Sequence, residues 1–365
     1  MPHLPIPSPR PSRRPSRRPT PRCVRLALAA LATLGLSPLA DPARAAEEPV
    51  LNLYSARHYQ TDEALYANFT KATGIRINRI EAGDEQLIER LKSEGAMSPA
   101  DLLLIVDAAR LWTAQTLGFF QPVRSKVLEE RIPASLRDPE GNWYGFSSRA
   151  RVIVYNKQTV NPADVSTYES LADPKNRNRV CTRSGSHPYN LSLVAALIAH
   201  NGEAKTEEWA RAVVANMARS PRGGDTDQIK AVAAGECGVA LSNTYYYVRL
   251  LRSTKPEERE WAAKAGLVWP DQNGHGTHLN ISGAGVLKHA PHRENAIRFL
   301  EYLSSAEAQG YFANGNNEWP AVRNSVAINP ELESLGTFKA DSLPIATLGK
   351  NTPAAQKLLD RAGWK

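Results

Sequence analysis

The sequence lacks the short motifs that mark the common enzyme classes. It contains no G-x-S-x-G turn, no H-E-x-x-H zinc motif, no P-loop and no dinucleotide-binding glycine fingerprint. It also lacks a repeat with a period of about 20–50 residues, which argues against a solenoid. The apolar stretch from Leu26 to Leu39 is too short for a comfortable membrane span. Nothing in the sequence therefore argues for an enzyme, a repeat protein or a membrane helix.

Acidic residues are nearly missing from the first 45 positions, which have the pattern of a cleavable export signal. This segment holds eight Arg and a single acid, Asp41, and is rich in Pro up to Pro21. The short apolar stretch follows, and Ala43-Arg44-Ala45 supplies an A-x-A cleavage signal. Two Arg-Arg pairs allow the twin-arginine route, but neither is followed by the usual apolar residues, so the Tat and Sec routes both stay open. The alternative is a basic arm for nucleic acid followed by a buried helix.

Without the export segment the chain has almost no net charge and few cysteines. The whole chain carries a net charge of +8, whereas residues 46–365 carry 37 Lys and Arg against 36 Asp and Glu. A body that is almost neutral gives no reason to expect a nucleic-acid partner. Only Cys181 and Cys237 remain in this part. In an oxidising compartment an even pair predicts a disulfide, with two buried free thiols as the alternative.

The body of the chain alternates strand and helix patterns, which predicts an α/β fold of two lobes with a ligand cleft between them. The first half reads as βαβαβ, with Thr61 as a helix cap and Gly74 as a helix end. The predicted elements are strand Val50–Tyr54, helix Asp62–Ala72, strand Ile75–Ile80, helix Glu85–Ser93 and strand Leu102–Val106. A second unit of this kind is predicted after a turn-rich stretch. Its elements are strands Arg151–Tyr155 and Val180–Thr182, helix Leu191–His200, strands Val239–Leu241 and Gly283–Leu287, and a helix from Arg293.

These elements divide a chain that is long enough for two domains. We expect residues 46–148 to form the first lobe, completed by about residues 276–330. We expect residues 149–275 to form the second lobe, completed by about residues 331–365.

Tyrosines stand where predicted strands end, which is where open α/β sheets bind ligands. His58-Tyr59 follows the first strand, Tyr189 follows His187-Pro188, and Tyr245-Tyr246-Tyr247 follows the strand that ends at Leu241. Phenolate oxygen is a hard anionic ligand that suits Fe³⁺, whereas softer ions prefer thiolate or imidazole. Tyrosines at strand ends are also often packing residues with one hydrogen bond. We interpret Tyr247 as packing, because on a continuing strand it would face away from Tyr246.

Four segments resemble signatures of the bacterial ferric-iron-binding proteins, the substrate-capture components of iron-uptake ABC transporters, and they occur in the same order across the mature chain. They are Ser55-Ala56-Arg57-His58-Tyr59, Gly141-Asn142-Trp143-Tyr144-Gly145, Arg149 to Lys157, and Asn243-Thr244-Tyr245-Tyr246. The resemblance implies a two-lobed periplasmic-binding-protein fold, capture of Fe³⁺ (with Fe²⁺ left open), and delivery to an inner-membrane permease. It further implies a periplasmic monomer that is not an enzyme.

The resemblance also implies a ligand set. It carries the family's iron ligands onto His58, Tyr245 and Tyr246, and its tyrosine-rich branch adds Tyr59 and Tyr189. With those tyrosines present, no bound anion is needed to complete the shell. Arg57 and Arg149 are candidates to balance the phenolate charge from outside the shell.

Other functions and sites stay open at this point. A binding protein of the same fold could take a polyamine, thiamine or a phosphonate, and a non-haem iron enzyme is a further alternative. A polyamine site would need carboxylates, whereas the selected residues are phenols. His275-Gly276-Thr277-His278 could hold a divalent metal, but we interpret it as a loop near the interlobe crossover with His278 at the surface. His187 competes with Tyr189 for a place in the cleft.

Overall fold

The computed structural model describes residues 49–57, 61–322 and 325–365 of the chain. The predicted export signal and the His58-Tyr59 pair lie outside the described residues. Within the described ranges, no helix combines the length and the apolar character needed to cross a membrane.

A nine-stranded mixed sheet forms the centre of the fold. The strands are β1 Val50–Ser55, β2 Arg76–Glu81, β3 Leu102–Ile105, β4 Tyr144–Asn156, β5 Val180–Cys181, β6 Val239–Asn243, β7 Ala265–Val268, β8 Leu279–Val286 and β9 Trp319–Pro320. Their order across the sheet is β2-β1-β3-β8-β4-β6-β5, with β7 and β9 also paired to β4.

Helices connect most of these strands. The α-helices are α1 Asp62–Thr73, α2 Asp84–Glu94, α3 Ala108–Thr116, α4 Lys126–Arg131, α5 Pro188–Asn201, α6 Glu203–Ala215, α7 Asp225–Ala233, α8 Thr244–Leu251, α9 Pro256–Lys264, α10 Arg293–Leu303, α11 Ala306–Gly310, α12 Pro330–Glu333 and α13 Ile345–Ala362. Shorter 3₁₀ turns cover Gly95–Met97, Ala134–Leu136, Pro162–Val165, Glu169–Ala172 and Pro174–Asn176, and a π-helical turn covers Tyr311–Gly315.

The first half of the sheet confirms the predicted βαβαβ unit. β1 pairs in parallel with both β2 and β3. β3 is buried at all four positions, as expected for a strand covered on both faces. Its Leu102 and Leu104 pack in one core with α1 and α10, while Leu103 and Ile105 pack in another with α2 and α3. The alternation along one strand therefore builds two cores, one on each face.

The second half also has a core on each face of the sheet. On one side Ile153 and Leu241 pack with helices α5, α6 and α13. On the other side Val152, Val154 and Ala240 pack with α7 and α8. This half is mixed rather than a second βαβαβ unit, because β4 is antiparallel to β6 and β7 while β5 is parallel to β6.

Strand β4 joins the two halves and is much longer than predicted. The sequence indicated only Arg151–Tyr155, yet the strand begins at Tyr144 and covers 13 residues, 12 of them buried. Residues Tyr144–Ala150 pair with β8, whereas Arg151–Tyr155 pair with β6. The strand thus changes partners between Ala150 and Arg151. The first half of the strand has no hydrophobic pattern from which it could be predicted. Its polar residues Ser147, Ser148 and Arg149 are buried by pairing with distant strands.

Three local predictions around helix ends met different outcomes. Gly74 ends α1 in the left-handed region at φ 71°, as a glycine after a helix commonly does. Thr61 occupies the N-cap position of α1, as predicted, but its hydroxyl donates to Asn316 Oδ1 at 2.5 Å and makes no capping hydrogen bond. The tyrosine run does not continue strand β6, because Thr244 already begins helix α8.

The disulfide prediction is confirmed. Cys181 on β5 and Cys237 just before β6 are bonded, with Cα atoms 5.9 Å apart. Both side chains are fully buried beside Ala240 in the core that α7 and α8 cover. The bond therefore fastens two neighbouring parallel strands at the edge of the sheet.

Candidate metal centre

Tyr189 lies in the first turn of α5, because the helix begins at Pro188 rather than at about Leu191 as predicted. Pro188 occupies the first helical position, where its missing N–H costs nothing. His187 caps the helix, since its Nδ1 accepts the Tyr189 backbone N–H at 3.2 Å. Burial, together with the charges of Arg183 and Arg151, lowers the pKa of His187 to about 3, so the ring is neutral at pH 7 and can accept. His187 thus positions Tyr189 through the backbone.

Tyr245 and Tyr246 lie in the first turn of α8, immediately after β6. Their rings lie against each other with centroids 4.3 Å apart. The Tyr245 hydroxyl is 2.8 Å from that of Tyr189, although 56 residues separate the two in the chain. The structure therefore brings together phenol oxygens from the beginnings of two different helices.

Tyr247 is a packing residue, as predicted, but for a different geometric reason. On a helix it turns away from its neighbours by the helical period, and it is buried with its hydroxyl donating to Ala265 O at 2.9 Å and Ala262 O at 3.1 Å. Burial and the nearby Tyr155 raise the pKa of Tyr247 to about 12. This phenol keeps its proton.

Guanidinium groups surround the paired phenols. The central carbon of Arg183 lies 5.1 Å from the Tyr189 ring centroid, and that of Arg151 lies 5.8 Å away. A buried carboxylate, Asp225, holds both: its Oδ2 accepts from Arg151 at 2.6 Å and its Oδ1 from Arg183 at 3.4 Å. Two cations against one anion leave a local excess of positive charge beside Tyr189.

We did not predict that Arg151, Arg183 and Asp225 would contribute to this environment. A signal for Arg151 existed, because an arginine within an apolar strand must be buried with a partner or lie at an edge. Asp225 and Arg183 carried no such signal, since each stands in a polar stretch of sequence.

Arg57 and Arg149, the two predicted charge-balancing residues, have different surroundings. Arg57 is fully buried and paired with Asp62 at 2.8 Å and Glu318 at 3.3 Å, so two carboxylates already balance it. Arg149 donates to Ser282 Oγ at 3.1 Å. Burial by itself lowers the pKa of Arg149, but Glu318, Tyr189 and Tyr245 raise it above its ordinary value. The charge of Arg149 is therefore felt at the phenols of Tyr189 and Tyr245.

The remaining predicted ligands, His58 and Tyr59, lie outside the described residues. Arg57, which immediately precedes them, is held at the end of β1. Among the described residues no group of three or more His, Cys, Asp or Glu side chains is arranged to hold a metal ion. The phenols are thus the candidate ligands in the part of the chain that the structure describes.

The histidines of the 275–278 loop do not form a metal site. His278 is buried rather than at the surface, which corrects the prediction, and its Nε2 lies 2.8 Å from Ser192 Oγ. Burial lowers the pKa of His278 to about 4. His275 stacks on His200, whose Nε2 lies 2.7 Å from Asp341. The two histidines of the motif therefore serve different contacts.

The match to known proteins covers most of the chain. The family model described as bacterial extracellular solute-binding protein matches residues 97–340. Iron uptake protein A1 of Synechocystis is 50% identical over 329 residues, which cover 90% of this chain and 91% of that protein. The major ferric iron-binding protein of Neisseria meningitidis is 27% identical over 348 residues, 94% of this chain and 99% of that protein.

A solved structure gives the same result in three dimensions. The structure of the Trichodesmium protein IdiA (FutA) in complex with iron and citrate ligands matches with a TM-score of 0.84 and 54% identity. The match covers 87% of this chain and all of that one.

Proposed function

Because this chain belongs to the family of bacterial extracellular solute-binding proteins, we propose that it captures ferric iron and delivers it to an ABC importer. The observation that carries the proposal is the 2.8 Å contact between the Tyr189 and Tyr245 hydroxyls. The fold is the two-lobed α/β fold of the structures that it matches. Family membership also supports the expectation that the chain is a transport protein rather than an enzyme.

The spacing of the phenol oxygens fits one small, hard ion. Two oxygens at about 2.0 Å from such an ion, in directions at right angles, lie about 2.8 Å apart. The pair can therefore exchange its two hydroxyl protons for a metal ion with little movement of either helix. Phenolate oxygens favour a hard, highly charged ion, and the nearby guanidiniums offset the negative charge that several phenolates bring.

The proposed ligand set is the one that the sequence indicated. Tyr189, Tyr245 and Tyr246 come from the two helix beginnings, and the segment after β1 adds His58 and Tyr59. Arg149 is the favoured outer charge, and Arg57 mainly holds Asp62 and Glu318 in place. Fe³⁺ is the proposed cargo, and a second proposal is that no anion is needed to complete the shell.

The lobes are proposed to follow the two halves of the sheet. Residues 46–148 with about 276–330 would form one lobe, and residues 149–275 with about 331–365 the other. The change of partners along β4, between Ala150 and Arg151, supports a boundary near residue 149. The ligands would then come from both lobes, so that closing the cleft completes the shell.

The location and the partner follow from the family at a coarse level: such proteins act in the periplasm with an inner-membrane permease. We further propose that residues 1–45 are a cleaved export signal, by the Tat or the Sec route, and that the mature protein is a monomer. A nucleic-acid partner is not proposed, because the mature chain is nearly neutral.

The test is the colour of the protein loaded with iron. Purified residues 46–365 should take up one equivalent of Fe³⁺ and turn red to orange through charge transfer from tyrosinate. Loading should be measured with and without citrate, and Fe²⁺, spermidine and thiamine should be compared by calorimetry. A colourless protein that binds one of the organic cations instead would contradict the proposal.

A further inference from the structure

A buried hydrogen-bond network lies behind the tyrosines, at the place where β8 begins. It contains Asp107 before α3, Ser192 in α5, His278 before β8, and Asn280 in β8, and we call these four residues the hinge network. All four are at most 5% exposed. They come from three separate segments of the chain, since His278 and Asn280 are two residues apart. Their hydrogen bonds therefore join elements that the backbone does not connect locally.

Asn280 is the centre of this network and uses its full hydrogen-bonding capacity. Its Nδ2 donates to Asp107 Oδ2 at 2.7 Å and to Ser192 Oγ at 2.9 Å. Its Oδ1 accepts the backbone N–H of Ala108 at 3.0 Å and of Ile281 at 2.7 Å. An amide side chain offers two donor hydrogens and two acceptor sites, and here all four are occupied. Asn280 is thereby fixed in one orientation.

Each partner of Asn280 positions a different helix. Asp107 caps α3, because its Oδ1 accepts the backbone N–H of Ala109 at 2.9 Å. Ser192 lies three residues after Tyr189, on the same side of α5. Its hydroxyl also lies 2.8 Å from His278 Nε2. The network therefore connects the beginning of α3, which packs on the first half of the sheet, to the helix turn that carries a proposed ligand.

Helix α5 is held from the other side as well. Arg151 donates to Asn190 Oδ1 at 2.9 Å, next to Tyr189. The space between these supports is small, about 10 Å³, and is lined by Arg149, Arg151, Tyr189, Asn243, His278 and Asn280. The first turn of α5 is therefore closely packed and is held by hydrogen bonds on both sides of Tyr189.

We propose that Asn280 and Ser192 are positioning residues for iron binding: their hydrogen bonds tie the Tyr189 helix to α3 and so hold the phenol in a fixed place relative to the first half of the sheet. This inference rests on the proposed function. Neither residue touches the ion; both act through the placement of α5. Loosening the tie should speed the release of iron without changing which atoms coordinate it.

The test removes the Ser192 hydroxyl and follows iron transfer to excess EDTA through the visible band. Ser192→Ala should release iron about tenfold faster, which corresponds to about 1.4 kcal/mol, with the band maximum unchanged. Ser192→Thr restores a hydroxyl and should return the rate toward that of the unmodified protein. Ser304→Ala is the matched control, because Ser304 is equally buried and hydrogen-bonded to Arg131 and Glu301 but lies outside the network.

The inference is overturned if Ser192→Ala releases iron at the unmodified rate, or if Ser304→Ala accelerates release to the same extent. A second measurement tests this inference independently of the proposed function. Amide hydrogen exchange of residues 188–194 in iron-free protein should be faster in Ser192→Ala than in Ser304→Ala. If the unmodified protein binds no iron, the proposed function fails, while the exchange result still decides whether the tie exists.

Discussion

Two tyrosines of the same run, Tyr245 and Tyr247, meet opposite surroundings. The Tyr245 hydroxyl faces another phenol, that of Tyr189, near the charge of Arg149. The Tyr247 hydroxyl faces two backbone carbonyls, and burial raises its pKa to about 12. Guanidiniums favour a phenolate, whereas carbonyl acceptors require the proton to stay. Residue type alone therefore does not make a ligand; the charge that surrounds the oxygen does.

The largest expected effect is a fall in iron affinity at low pH, because the phenols proposed to bind iron must lose their protons. Each phenol that binds iron must release a proton, so affinity should fall about tenfold per pH unit for each proton displaced. Between about pH 8 and pH 5 this amounts to at least about a thousandfold for one proton. A competitive citrate titration across this range measures it, and a reductant should weaken binding further because Fe²⁺ carries less charge. An affinity that stayed constant would remove phenolates from the ligand set.

The second expected effect comes from removing the hydroxyl of a proposed ligand, Tyr245, or that of the packing residue Tyr247. Tyr245→Phe should shift and weaken the visible band, since three tyrosinates remain. It should also weaken iron binding by more than about 100-fold, because loss of a ligand exceeds the usual cost of losing an outer contact. Tyr247→Phe should leave the band intact and lower the free energy of unfolding by about 1 kcal/mol, the worth of a buried hydrogen bond. Titration with Fe³⁺ and urea unfolding of both variants measure the two quantities. Equal loss of colour in both would erase the distinction between them.

The third prediction is that loss of the disulfide lowers the stability of the protein but leaves its metal site unchanged. Replacing Cys181 and Cys237 together by Ser should lower the free energy of unfolding by about 2–4 kcal/mol, mostly through the unfolded chain. The cysteines lie in the core against which Tyr246 packs, but outside helices α5 and α8, which carry the phenols, so the band of the folded variant should not move. Urea unfolding monitored by circular dichroism, beside the visible spectrum, provides the measurement. A shifted band would show that the sheet edge sets the geometry of the phenols.

The smallest expected effect concerns the two charge-balancing arginines. Arg149→Gln should weaken Fe³⁺ binding by about tenfold, the lower end of outer-contact effects. Arg57→Gln should chiefly destabilise the fold, because it leaves Asp62 and Glu318 buried without their cation. Iron titration and thermal unfolding of the two variants compare them directly. A larger loss of affinity in folded Arg57→Gln would reverse the assignment.

Local patterns were sufficient for much of the first half of the fold. Periodicity placed α1, α2 and β1 to β3 within a residue or two, because each element is short and its apolar pattern is set by neighbours in sequence. The pairing of Cys181 with Cys237 was also indicated, since few cysteines leave few choices. The candidate ligands followed from residue type and from resemblance to a family, and those roles stay predictions.

Parts of the second half could not be predicted from local sequence patterns, because residues far away in the sequence bury them. Strand β4 reads as polar between Ser147 and Arg149, yet pairing with β8 buries it. The tyrosine run has the composition of a strand, but it begins a helix because β6 ends at Asn243 and the chain must turn. His278 was assigned to the surface for the same reason: its contact with Ser192 spans 86 residues.

The sequence by itself determined the class of fold, the disulfide pair and a set of phenols rich enough to bind a hard ion. The tertiary structure decided which phenols meet, which keep their protons and which arginine bears on them. Proton and metal affinities depend on charges within a few ångströms of an oxygen. In this chain those charges come from Arg149, Arg151, Arg183 and Asp225, whose relative places only the folded sheet and its helices fix.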